Sequence, residues 1–290
     1  MHPAPSVIIF TTFSGLGFGL LFWLGLGAIT PTGLSAFIWF AVAYICAVGG
    51  LLASTFHLGH PERALKAFSQ WQSSWLSREG IAAVATLIII AIYGAGLVFA
   101  ATPIAILCWI GALGALATVF TTSLIYTQLK TVPRWHHWTT PVLFLALSLG
   151  GGALLAGQVN LSIGLLIGAA VIQAYAWITG DARFAQSGSD MQTATGLGAI
   201  GTVRAFEPPH TGTNYLMREF IYVVGRKHAQ KLQIIALVLG FILPIILLLI
   251  PFSHVFATVA VLCHIAGVVT LRWLFFAQAE HVVGLYYGAR

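Results

Sequence analysis

Between His57 and Gly80 the chain reads HLGHPERALKAFSQWQSSWLSREG, which sets two histidines, two glutamates, three basic residues and two tryptophans between long apolar runs. The ends of this stretch carry the chemistry of interest. An imidazole such as that of His57 titrates near physiological pH, and a carboxylate such as Glu79 in an apolar setting is raised toward the same range. A pair of this kind at a membrane edge suits the coupled transfer of protons and electrons at a lipid-soluble carrier. Interconversion of quinone and quinol is such a reaction: apolar helices would hold the ring and tail while the His and Glu exchange protons with water. The same residues also suit a plainer role. Interfacial His and Glu are common solvated groups, and a Glu at the start of a helix meets the macrodipole favourably. Arg63, Lys66 and Arg78 fit ordinary loop charges, and Trp71, Trp75, Trp135 and Trp138 fit an aromatic belt.

The elements that must position this cluster are helices in a bilayer. Charged residues make up 7% of the 290 and apolar ones 59%, with a mean hydropathy of +0.93, against about 25% charged in soluble domains. A span needs about 20 mostly apolar residues to cross a core of about 30 Å. Eight segments meet that requirement, at 6–27, 34–56, 79–100, 104–126, 141–157, 161–179, 232–250 and 254–276. The expected fold is therefore an all-α integral membrane protein, an eight-transmembrane-helix bundle forming one domain over 1–290. His57 then ends the second span and Glu79 begins the third, so neighbouring helix ends bring the two side chains together. The first apolar run lacks the basic residues that precede a secretory signal, and it reads as a retained helix. The fifth and sixth spans are short and rich in glycine, so one of them is expected to be tilted, broken or buried in protein. Small-residue pairs at Gly111–Ala115 and Gly164–Gly168 suit close helix packing.

Charge is confined to alternate connections. Loops near 28–33, 101–103, 158–160 and 251–253 carry none, whereas 57–78, 127–140, 180–231 and the C-terminal tail hold essentially all of it. With an even number of spans those loops and both termini share one face. The positive-inside rule places that face in the cytoplasm of a multi-pass inner-membrane protein. The long loop 180–231 is an expected docking surface. Within it, Tyr215 to Val224 suits either an interfacial helix on lipid head groups or a contact with a partner protein.

The remaining candidates narrow the chemistry. Cys46, Cys108 and Cys263 are scattered in apolar runs, so the chain has no motif for an iron–sulfur cluster or an attached haem. His264 stands almost alone in the middle of the eighth span. A b-type haem would need a second axial histidine at its depth, and neither His57 nor His254 lies there, so a neutral His264 bonded between helices is expected. The segment TVPRWHHWTTP, Thr131 to Pro141, adds His136 and His137 on the face that carries His57. A transporter or proton channel would want interrupted helices with charged groups near the midplane, and nucleic acid is not an expected partner.

The residues HLG-x-P-x-RA (His57 to Ala64), Ser77-Arg78-Glu79, TVP-x-W (Thr131 to Trp135) and Thr140-Pro141 give the chain a recognisable form. It resembles the membrane anchor (C) subunit of the dimethyl sulfoxide reductase family of molybdoenzymes, and its opening HPAPSVIIFTTFSGLGFGL looks closest to the anchors of cytoplasmic sulfite dehydrogenases. The resemblance implies an anchor without haem or iron–sulfur cluster of its own, exchanging electrons between a quinone pool (ubiquinone or menaquinone) and a four-cluster iron–sulfur subunit. That partner connects to a catalytic subunit holding a molybdenum bis-pterin cofactor, both docked on the cytoplasmic face. By resemblance, His57 and Glu79 serve quinone binding, with Arg63, Trp75 and Trp135 at neighbouring family positions. Alternatives are an anchor of a quinol-oxidising dimethyl sulfoxide-type reductase and a purely structural anchor. One departure stands out: the classical anchor carries basic residues between its first two spans, whereas Ile29 to Gly33 is uncharged here.

Overall fold

A computed structural model describes residues 1–207, 209–222, 227–251 and 253–288, with the side chains of His57 and Pro61 outside the described set. Among the described residues the chain is helical and has no strand. Eight apolar helices run Pro5–Gly25, Gly33–Ala53, Trp75–Phe99, Ala105–Thr127, Thr139–Leu155, Val159–Gly180, Ala229–Leu249 and His254–Ala277. Seven are long and apolar enough to cross a membrane, and the fifth, at 17 residues, is the exception. Seventeen residues rise about 26 Å, slightly less than the hydrocarbon core of about 30 Å. Protein rather than lipid surrounds this helix: Leu143, Phe144, Leu147 and the run Gly150 to Leu154 are buried. The expectation of one short, protein-buried helix thus falls on the fifth.

The helices form two antiparallel four-helix groups. The first to fourth pack in a ring, as do the fifth to eighth, and the first helix lies in the seam, touching the second, fourth, fifth and eighth. Because lipid offers no hydrophobic drive between helices, close packing of small residues has to hold such a seam. A Cβ on Gly19 would strike the carbonyl of Ser148, and one on Gly152 would strike the backbone of Gly19. Two bonds cross the same contact, from Trp23 Nε1 to Leu149 O at 2.9 Å and from Ser148 Oγ to Gly15 O at 2.6 Å. The small-residue pairs divide. Gly111 packs against Ile90, but Gly164 and Gly168 face open space and join nothing within the chain.

The seventh helix contains a π-helical turn at Val238–Ile242, followed at once by Pro244. Proline has no N–H to return to the carbonyl four residues back, which here is that of Gly240. His264 of the eighth helix donates from Nδ1 to this oxygen at 2.7 Å. The histidine is therefore bonded between helices, as its sequence position led us to expect. Replacing His264 with alanine orphans a buried carbonyl, at a cost of about 1–3 kcal/mol. A fall in the thermal unfolding temperature of the detergent-purified chain checks this, and an unchanged temperature contradicts it.

The charged loops gather on one face. Met1 donates its amino group to Ala279 O at 2.7 Å, His2 N to Glu219 O at 2.8 Å, and Val282 N to Thr131 O at 2.9 Å. Asn214 Nδ2 donates to Tyr287 Oη at 3.1 Å. Both termini, the fourth-to-fifth connection and the long loop are thereby tied together. Within that loop the expected helix forms only as Tyr215–Phe220, while Val223 and Val224 lie outside the described residues.

Candidate functional site

The third helix begins at Trp75 rather than at residue 79, and that difference changes the setting of Glu79. Arg78 ties the preceding turn down, donating from Nε to Trp71 O at 2.8 Å and from Nη2 to Gln72 O at 2.6 Å while lying over the Trp75 ring at 4.2 Å. The helix thus starts early, and Glu79 falls in its second turn, inside the bundle. Its residue is 4% exposed, which removes the solvated helix-end reading. A 3-10 segment, Pro61–Phe68, lies against this end of the third helix, where Phe68 covers Gly80.

The carboxyl of Glu79 meets the fourth helix. Thr122 Oγ1 lies 3.0 Å from Glu79 Oε1, and the same hydroxyl lies 2.9 Å from the Thr118 carbonyl. Among the described residues no salt bridge involves Glu79. One turn further along the fourth helix stands Tyr126, whose hydroxyl feels the charges of both Glu79 and Arg272. The ring of Tyr126 is held by Trp135, Phe144, Phe275 and Phe276, at centroid distances of 5.4, 5.7, 5.4 and 5.6 Å. The arrangement offers a buried carboxyl, a hydroxyl beside it, and an aromatic wall behind. Such groups can hold a polar head of an apolar molecule and pass a proton to it.

The other expected site residues are placed unequally. The backbone of His57 closes a 3-10 turn, Ser54–His57, at the end of the second helix, and its side chain lies outside the described residues. Arg63 is exposed, 3.9 Å from Glu62. Trp75 sits half-buried one turn before Glu79. Trp135 is core rather than belt: it is 2% exposed, stacks on Phe275 at 5.1 Å, and donates its indole N–H to Phe275 O at 2.9 Å. Its ring also meets that of Tyr126, centroid to centroid at 5.4 Å. His136 donates from Nδ1 to Thr127 O at 2.6 Å, and His137 Nδ1 accepts from the Thr139 amide at 3.3 Å. Burial and then the Arg183 charge hold the His137 imidazole below its usual pKa.

Thr122, Tyr126 and Arg272 escaped the sequence reading. A signal existed for the first two: Thr118, Thr122 and Tyr126 recur every fourth residue and form a polar stripe within an apolar span. Arg272 is a charged residue within the eighth span, and a buried ionisable group there is itself a functional pointer.

Known proteins resemble this chain along nearly its whole length. The family model described as DMSO reductase anchor subunit (DmsC) matches residues 1–288. The C subunit of sulfite dehydrogenase from Allochromatium vinosum is 30% identical over 323 aligned residues, covering 99% of each chain. No solved structure matches.

Proposed function

Because this chain belongs to the DMSO reductase anchor subunit (DmsC) family, we propose that it is the quinone-reactive subunit of a molybdenum oxidoreductase complex. In this reading it passes electrons between an iron–sulfur partner and the quinone pool. Its similarity to the C subunit of a sulfite dehydrogenase favours the oxidative direction, from sulfite toward quinone. The charge-bearing face is cytoplasmic by the positive-inside rule, and the iron–sulfur and molybdopterin subunits dock there.

The observation that carries this reading is the Glu79 carboxyl, buried at the charge-bearing end of the bundle with no ion-pair partner among the described residues. Thr122 has one hydroxyl proton and two oxygens within reach, Thr118 O and Glu79 Oε1. A proton on Glu79 satisfies both contacts, since the carboxyl then donates to Thr122 while Thr122 donates to Thr118. The carboxyl can therefore hold a proton in place and release it. Quinone reduction consumes two protons with its two electrons, and Glu79 together with His57 would deliver them at the edge of the membrane. The exposed apolar side chains Phe56, Leu65 and Leu76 around this end fit a lipid-soluble reactant.

The experiment is a comparison of two activities in the purified complex. Substituting His57 with asparagine should abolish quinone-linked turnover and leave dye-linked activity of the partner subunits unchanged. Full quinone-linked turnover in this variant removes His57 from the site. A chain that purifies without any iron–sulfur or molybdenum subunit, and that transports a solute instead, overturns the proposal as a whole.

A further inference from the structure

A second polar centre lies across the seam from Glu79, between the fifth, sixth and eighth helices. A cavity of about 50 Å³ opens there at the charge-bearing end of the bundle. Arg134, Arg183 and Arg272 all line it, and no described Asp or Glu does. Arg134 has a counter-ion outside the cavity, in Asp181. The other two have none among the described residues. Arg183, 7% exposed, directs its terminal nitrogens to neutral oxygens: Thr179 Oγ1 at 2.7 Å, Arg134 O at 3.1 Å and Thr139 Oγ1 at 3.3 Å. Arg272, 4% exposed, lies over the Phe144 ring at 3.6 Å. The Nε atoms of both arginines are buried without a hydrogen-bond partner.

Two buried guanidinium groups with orphaned donors and no counter-ion are strongly unfavourable unless an anion joins them. Burial, and then the charge of Arg134, already hold the Arg183 guanidinium below its ordinary pKa. The space, about 50 Å³, is more than a single water needs. A tetrahedral oxyanion such as a phosphate group suits it.

Depth supplies the source. Arg272 lies five residues before Ala277, the end of the eighth helix, or about 8 Å inside it, where a lipid phosphate can dip between helices. Leu143, Leu147 and Trp177 give the cavity apolar walls along which an acyl chain could lie. Basic pockets between spanning helices on the positively charged face are suited to anionic head groups, and the guanidinium fork matches phosphate oxygens. We propose that this cavity binds the phosphate group of an anionic phospholipid, held by Arg183 and Arg272 between the fifth, sixth and eighth helices. Glu79 does not line this cavity, although Phe144 and Phe275 border both places, and the proposal does not depend on the quinone reading.

The full chain, purified from membranes in mild detergent and washed free of loose lipid, provides the test. Phosphatidylglycerol should remain bound by native mass spectrometry, and adding it back to delipidated protein should raise the unfolding temperature where phosphatidylcholine does not. Arg272→Gln and Arg183→Gln should each weaken phosphatidylglycerol binding about tenfold or more, as expected for one charge-assisted contact. Equal retention of both lipids, or unchanged binding in both variants, overturns the proposal. A thermal shift with inorganic phosphate but none with phosphatidylglycerol overturns the lipid source and leaves a free-anion site. If Arg272→Gln fails to accumulate, Arg183→Gln and the titration of the unaltered chain still decide the question.

Discussion

Glu79→Gln is expected to lower quinone-linked turnover of the assembled complex by about 100-fold or more, the scale of a lost general acid–base group. The amide is close in size to the carboxyl and its NH2 can donate to Thr122 as the protonated carboxyl does, Thr122 Oγ1 sitting 3.0 Å from Oε1. Packing around the second turn of the third helix should therefore survive. What the variant loses is the exchangeable proton. Dye-linked activity of the partner subunits bypasses the membrane step, so it should be unchanged. Retention of quinone-linked turnover in Glu79→Gln would move the proton-exchanging group elsewhere. Equal loss of both activities would mean that the substitution breaks assembly rather than chemistry.

The second large effect is structural. Gly152→Val should prevent the first and fifth helices from meeting, because any Cβ at this position lands on the backbone of Gly19. Backbone atoms have no rotamer to escape into, so the helices must part. Parting them also breaks the Trp23–Leu149 and Ser148–Gly15 bonds that cross the contact. Overpacking and two lost hydrogen bonds together amount to about 3 kcal/mol or more. The expected result is a large drop in the unfolding temperature and in the amount of folded chain in the membrane. Gly164→Val provides the contrast, since its Cβ meets open space, and it should change little. Equal tolerance of both substitutions would show that the seam is looser than its geometry implies.

The place of the polar cluster that ends at Glu79 was legible in the sequence because a bilayer restricts where polar residues occur: a cluster between two apolar runs must sit at an edge or inside protein. By the same restriction, composition determined the class of fold, the eight helices and the single charge-bearing face. Hydropathy and charge act through solvent, and solvent preference can be read residue by residue. The family residues at His57, Ser77-Arg78-Glu79 and Thr131 to Trp135 added the partner complex as an expectation.

Only the tertiary structure decided what each polar group meets. Glu79 changed from a helix-end carboxylate to a buried one because Arg78 anchors the turn before it and starts the helix at Trp75. Trp135 went from a belt residue to core because the eighth helix brings Phe275 and Phe276 beneath it. His264 acquired its purpose from Pro244, a residue on another helix that deprives Gly240 of its usual partner. The arginine cavity brings residues 134, 183 and 272 together, the last two without a counter-ion among the described residues. Apart from the local bonds of Arg78, the deciding contacts lie between different helices, where local periodicity carries no information about the neighbour.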